Sequence, residues 1–274
     1  MIIVLGGTTE GREVIAQLTR LNYPITATVV SSYGAELLEN NELCDTRQGA
    51  LTKSRLVQLI KDTDSRFLID ATHPFAVEIS QIAMESATEQ DIYYIRLERK
   101  RIVLPQHDLI TIINAIEQIE PYIFPGQTVF NTMGSKNLDL IVPLIKKYGA
   151  TLVTRVLPSA GVIKKCENLG LNSDHIIAAK GPFSAEFNKQ MFKHYDAQLI
   201  LTKDSGTAGG LETKLQAALE LNIPVLVWSR PRLSYPRLVY SAEEAVESIN
   251  ALLQTSQGEG GRWQHGNYME SAHH

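Results

Sequence analysis

Short apolar, β-branched runs alternate along the chain with stretches of helical periodicity. The runs at 2–5, 25–30, 67–70, 92–96, 128–131, 151–155, 175–178, 198–202 and 225–228 are near-continuously apolar, which predicts strands buried on both faces. Between them, apolar residues recur at helical spacing over 10–21, 52–61, 75–89, 137–148, 184–194 and 211–221. Alternation of this kind implies βαβ units, and so an α/β fold of open parallel sheets covered by helices. Residues 98–127 break the rhythm: they are charged and Pro-containing, with one helix expected at 114–120. They read as a linker between an N-terminal domain, 1–97, and a C-terminal domain, 128–254. A last helix over 241–254 is expected to pack back on the first domain. Residues 255–274 are polar and Gly-rich without an apolar period, which predicts a disordered tail.

The two halves open alike. Met1–Leu5 runs into Gly6–Gly7, and Thr128–Thr132 runs into Gly134–Ser135, each followed by a helical pattern. A glycine turn between a strand and a helix cradles phosphate, because free amides and the helix dipole face the anion. In GGTTEGR, residues 6–12, Gly6 and Gly11 match the first and third glycines of the dinucleotide fingerprint, while Thr8 stands at the middle one. The hydroxyls of Thr8 and Thr9 are expected to donate to phosphate in compensation. The second strand ends in Ser31, Ser32 and Tyr33, with no carboxylate to bind ribose hydroxyls. This favours NADPH, with NADH as the alternative cofactor.

DATHPFA, residues 70–76, delivers Asp70, Thr72 and His73 to the carboxyl edge of the sheet, with Pro74 expected to start the next helix. His73 is then held towards a ligand; alternatively Asp70 and Thr72 cap the helix and His73 only bonds backbone. The run RLERKR spans 96–101, and Arg155 and Lys180 follow later strands. Arg96 and Arg155 end buried strands, where a guanidinium can hold a carboxylate with two hydrogen bonds. TKDSGTAGGLETK, residues 202–214, places Lys203, Asp204, Ser205, Gly206 and Gly209 in a second polar strand-end loop. Ser184 is expected to cap a helix, with Phe187 three residues in.

Composition removes other classes. With 44% hydrophobic and 20% charged residues the chain is a folded globular protein, and a net charge of −4 argues against general nucleic-acid binding. Cys44 and Cys166 alone make neither a disulfide framework nor a zinc site, and both are expected to be buried. No basic n-region precedes the first apolar run and no run is long enough to span a bilayer, so a cytoplasmic, non-membrane protein is expected. No P-loop, nucleophile elbow or Cys/His metal spacing occurs.

Taken together, GGTTEGR, DATHPFA, RLER, NTMGS (131–135), RVLP (155–158), KGPFS (180–184) and TKDSG followed by GG resemble, in order, the precorrin-6A and cobalt-precorrin-6A reductases, from residue 1 to about residue 231. The resemblance implies two Rossmann-like domains with parallel sheets and a ligand cleft between them. It implies reduction of one double bond of a corrinoid with NAD(P)H in cobalamin biosynthesis. Gly6, Gly7, Thr8, Thr9, Glu10, Gly11, Ser31, Ser32, Thr72, His73, Gly134, Ser135, Lys203, Ser205 and Gly206 are then the expected cofactor residues. Arg96, Arg99, Arg155 and Lys180 would meet the substrate's carboxylates. His73 and Lys203 are the candidate proton donors, with ordered water as a third source. A non-catalytic NADP(H) sensor, or a reductase of another polycarboxylate, is the alternative.

Overall fold

The computed structural model describes residues 1–30, 32–38, 42–206 and 209–258. It divides into two compact units. The first is Met1–Lys100 together with the chain from Arg232 onward; the second, Arg101–Pro231, is inserted between them.

In the first unit the strands are β1 (Ile2–Leu5), β2 (Ile25–Val29), β3 (Cys44–Gln48), β4 (Phe67–Asp70), β5 (Tyr93–Leu97) and, from the far side of the insertion, β12 (Leu238–Val239). The second unit holds β6 (Ile110–Ile113), β7 (Thr128–Asn131), β8 (Thr151–Val156), β9 (Ile176–Ala178), β10 (Leu199–Lys203) and β11 (Val225–Trp228). Among the described residues these form two six-stranded parallel sheets, ordered β3-β2-β1-β4-β5-β12 and β9-β8-β7-β10-β11-β6. The first is the doubly wound order 3-2-1-4-5-6; the second repeats its first five positions, but its outermost strand, β6, comes first in that unit's chain rather than last, and both units are Rossmann-like. Both sheets reverse their winding between two central strands: β1 and β4 in one unit, β7 and β10 in the other.

Alternation along the strands explains the apolar runs. Ile2 and Val4 face one core, which includes Val14, Ile15 and Leu18 of α1 (Thr9–Arg20) and Ala245 and Ile249 of α9 (Ala242–Gly258). Ile3 and Leu5 face the other, under α3 (Lys53–Asp62) and α4 (Val77–Glu89). The second sheet repeats this. Val129 faces α5 (Leu138–Lys147) and α6 (Ala160–Asn168), and Phe130 faces α7 (Ala185–His194) and α8 (Leu211–Glu220). Both faces are buried, so polar alternation disappears from the central strands. Helix α9 is tied to the first unit by Tyr23 Oη donating to Asn250 Oδ1 at 2.7 Å. Several helices return to the sheet through a left-handed Asn or Asp: Asn22, Asp64, Asp91, Asp196 and Asn222, at φ 47–58°. These residue types tolerate that conformation better than other side chains.

Some elements depart from the sequence pattern. The stretch expected as a linker supplies β6, paired with β11, and a 3-10 helix, Ile116–Tyr122. Strand β3 reads CDTRQ and lies at an edge, with too little burial to impose an apolar period. Helix α2 (Ser32–Glu36) is a single turn and α6 buries only Cys166, so neither shows a periodic stripe. Residues 73–76 make a turn, Ala76 N donating to His73 O, and α4 starts at Val77 rather than at Pro74. Cys44 is half-buried on edge strand β3, whereas Cys166 is buried as expected. Helix α9 continues to Gly258 into the expected disordered tail, whose remainder lies outside the described residues.

Candidate active site

In the first unit the β1–α1 and β4–α4 loops flank the point where the winding reverses, where doubly wound sheets bind their ligands. Gly6 N continues the ladder by donating to Thr28 O at 2.8 Å. A Cβ at Gly6 would press on Thr28 O and Val29 Cγ1 at 3.4 Å, so the turn hugs β2. Gly7 has φ 109° with open space where a side chain would stand. Thr8 caps α1: its Oγ1 accepts from Gly11 N at 3.0 Å and donates to Ala71 O at 2.7 Å. Its hydroxyl proton therefore ties the two loops together, where sequence reasoning aimed it at phosphate. Thr9 stays exposed, and Arg12 reaches back to Thr8 O at 3.2 Å and Thr9 Oγ1 at 3.1 Å. Gly6, Gly7, Arg12, Val29 and Leu37 line a hollow of about 70 Å³. Arg12 stands in the GGTTEGR motif, where sequence reasoning gave it no part, and the structure sets it beside this hollow. Ser31 lies outside the described residues; Ser32 opens α2, with its side chain outside the description.

Asp70 and Arg96 are register partners on β4 and β5. Asp70 Oδ1 accepts from Arg96 Nη1 at 2.8 Å, Thr72 Oγ1 at 2.6 Å and Thr72 N at 3.0 Å, and its Oδ2 accepts from Tyr94 Oη at 2.8 Å. Arg96 Nη2 donates to Thr72 O at 3.0 Å, and the guanidinium lies 5.4 Å from the Tyr235 ring. Arg96 is 0% exposed. Burial is the largest single influence and would lower its pKa, but Asp70, with Tyr235, Tyr94 and Glu98, together outweigh it and raise it. Burial, and then Asp70, push the Tyr94 phenol far up, so it stays a proton donor. The assignment of Arg96 to substrate is thus corrected: it is a buried counter-ion that fixes the 70–73 loop. Thr72 likewise spends its hydroxyl on Asp70. Arg99 Nε is bonded to Glu10 Oε1 at 2.5 Å, which occupies both proposed ligand residues with each other. Burial, the largest single influence, pushes Glu10 up, but the Arg99 hydrogen bond and charge, with hydrogen bonds from its own backbone and Thr8, together hold it below the ordinary value. His73 is half-buried, and its Nδ1 accepts from Phe75 N at 3.2 Å. That bond places the proton of the neutral ring on Nε2.

In the second unit Asn131 ends β7, its Oδ1 accepting from Met133 N at 3.0 Å and its Nδ2 donating to Gly134 O at 3.2 Å. This bonding shapes the Gly134–Ser135 loop. Lys203 ends β10; burial, then the neighbouring Lys136 charge, bring its pKa down to about 8. Ser205 and Gly206 follow it, both buried. Arg155, 6% exposed, donates through Nη1 to Asn188 Oδ1 at 2.8 Å and lies 4.4 Å from the Phe183 ring. Burial lowers it to about 10. Lys180 is exposed. Ser184 caps α7 as expected, accepting from Phe187 N at 3.1 Å. Lys214, on α8, went unrecognised: it is 7% exposed and donates to Gly209 O at 2.8 Å. Burial, then Arg155 and Lys203, bring it down to about 7.

Among the described residues, no His, Cys, Asp and Glu grouping can hold a metal ion, and no helix is long and apolar enough to cross a membrane.

Residues 1–250 match the family described as Precorrin-6x reductase CbiJ/CobK. The cobalt-precorrin-6A reductase of Priestia megaterium is 33% identical over 250 residues, covering 91% of this chain and 98% of that protein. The cobalt-precorrin-6A reductase of Methanothermobacter thermautotrophicus is 35% identical over 235 residues, covering 85% of this chain and 77% of that protein. The solved structure of CobK precorrin-6A reductase superposes with a TM-score of 0.75 at 22% identity, over 91% of this chain and 96% of that one, and shares the fold.

Proposed function

The chain belongs to the precorrin-6x reductase family, and from that premise we propose that it reduces one C=C bond of cobalt-precorrin-6A with NADPH, giving the dihydro product. It is an oxidoreductase acting on a CH–CH bond, of the precorrin-6A reductase type that serves cobalamin biosynthesis. The cobalt form of the substrate is supported by the names of the two relatives above. The observation that carries the reading is the glycine turn Gly6–Gly7 standing beside the His73 loop at the winding reversal of the first sheet.

A nicotinamide dinucleotide fits these residues. Open space at Gly7 leaves room for a phosphate beside the α1 N-terminus, while Gly6 and Gly11 allow close packing beneath it. NADPH is favoured over NADH because Arg12 lines the hollow and strand β2, ending at Val29, presents no carboxylate there. When bound, the reduced nicotinamide supplies the hydride, and the chain's task is to hold the reactants and deliver one proton. Thr8, by bonding Ala71 O, keeps the β1–α1 turn in register with the loop that carries His73. The Asp70–Arg96–Tyr94 cluster holds that loop rigid from below. Lys203, whose pKa is brought down to about 8, or His73, once its ring is protonated, is the proton donor. Anaerobic mixing of protein, NADPH and precorrin-6A, with and without inserted cobalt, tests the reading. Loss of nicotinamide absorbance coupled to a change in the macrocycle spectrum is expected, faster with the cobalt form. Tight NADPH binding without turnover of either form would instead identify a sensor.

A further inference from the structure

Three segments of the second unit converge around two buried cations. Arg155 reaches Asn188, a fully buried residue of α7, and Asn188 Nδ2 lies 3.4 Å from Thr213 Oγ1, next to Lys214 on α8. Thr213 Oγ1 in turn bonds Phe183 O at 2.9 Å, and Phe183 is the ring over which Arg155 lies. A Cβ at Gly210 would stand 3.7 Å from Pro182, so the 181–183 loop lies against the start of α8. Arg155 is therefore gripped in one orientation: Nη1 is spent on Asn188 and Met191, while Nε and Nη2 have no hydrogen-bond partner among the described residues. Lys214 is anchored by one bond to Gly209 O. Neither Arg155 nor Lys214 has an ion-pair partner among the described residues, unlike the buried Arg96 and Arg230, which stand beside Asp70 and Asp204.

Burying two like charges without a carboxylate opposes folding, since each loses hydration and each repels the other. An arrangement of this kind is retained where an anion completes it. We propose that Arg155 and Lys214, with Lys203 beside them, form an oxyanion-binding pocket of the second unit that takes one phosphate or carboxylate group of a ligand. The pocket stands on the second unit alone. Only the identity of the group that fills it, a cofactor phosphate or a corrinoid carboxylate, rests on the reductase reading. The lowered pKa values of Arg155 and Lys214 agree with cations that lack a counter-charge, and Lys203 and Lys136 add to the same field.

The full chain, titrated at constant ionic strength with inorganic pyrophosphate and separately with propane-1,2,3-tricarboxylate, tests this by calorimetry and thermal melting. Wild-type protein is expected to bind at least one of the two and to melt higher in its presence. Lys214→Met should weaken that binding by about tenfold or more, while Lys214→Arg, which keeps the charge, retains it. A preference for pyrophosphate assigns the pocket to phosphate, and a preference for the tricarboxylate assigns it to carboxylate. In wild-type protein the Lys214 side-chain NMR signal should also shift on adding the preferred anion. No response of wild-type protein to either anion, an equal response from Lys214→Met, or an unmoved Lys214 signal would overturn the proposal. None of these readouts uses turnover, so a protein that binds the anion yet reduces no corrinoid sinks the reductase reading and leaves the pocket standing.

Discussion

Replacing Arg96 by Met separates the two roles an arginine at a strand end can have. In the structure Arg96 gives Asp70 Oδ1 a 2.8 Å bond and Thr72 O a 3.0 Å bond, deep inside the first unit. Methionine fills much of the volume but leaves Asp70 a buried carboxylate without its counter-ion and Thr72 O without a donor. Removing one partner of a buried pair costs about 3–5 kcal/mol. Asp70 keeps Thr72 N, Thr72 Oγ1 and Tyr94 Oη as donors, which points to the lower end of that range. At about 2–4 °C per kcal/mol, the melting temperature should fall by about 6–12 °C. Removing both charges, Arg96→Met with Asp70→Asn, should recover part of the loss, since the Asp70 charge is then gone while Glu98, 3.5 Å from Arg96 in the wild type, still loses that neighbour. Thermal and urea unfolding followed by far-ultraviolet circular dichroism measure this, alongside steady-state kinetics. The variant's kcat should fall as the His73 loop loosens, with little change in corrinoid KM. A variant that melts with the wild type but needs tenfold more corrinoid would refute the reasoning and return Arg96 to the substrate.

Thr8→Val removes a helix cap and the tether to Ala71 together, and should cost about 1–2 kcal/mol of stability and weaken NADPH binding; an unchanged urea midpoint and unchanged Kd would contradict the tether. If Lys203 is the proton donor, kcat should fall as pH rises through about 8, because the acid form is lost, and Lys203→Met should abolish that limb; a limb that survives the substitution transfers the role to His73 or water. Lys214 is brought down to about 7 in the folded chain, so between about pH 7 and the ordinary lysine range the unfolded chain binds more protons. Wild-type stability should therefore rise with pH across that window relative to Lys214→Met, and a flat difference in unfolding free energy would show that Lys214 is not buried as a cation.

The central strands were legible because burial on both faces writes itself into sequence as an unbroken apolar run, as in Ile2–Leu5. The edges were not. CDTRQ in β3 and the two residues of β12 are strands because a neighbour's free backbone groups pair with them, a property their own side chains do not encode. The glycine turn could be read because Gly7 adopts a φ few other residues tolerate. Arg96 was misjudged for a different reason: an arginine ending a buried strand looks the same whether it meets a ligand or Asp70 on the adjacent strand, and only register decides. Lys214 carried no signal at all. A lysine in a helix reads as solvated, and nothing in its spacing shows that the ammonium turns back to Gly209 O and is buried there.

The insertion of the second unit has a consequence for biosynthesis of the chain itself. As residues leave the ribosome, the first sheet is left with the edge of β5 bare, because the strand that pairs with it, β12, comes only after Pro231. Helix α9, which supplies Ala242, Ala245, Val246 and Ile249 to the core around β1, comes later still. The inserted unit has no such debt: its six described strands and their helices lie in one continuous stretch, and it can close while translation proceeds. A chain that has emerged from the ribosome only as far as Pro231 would thus carry a finished unit joined to an open-edged, half-covered sheet, the kind of surface on which chains pair with one another.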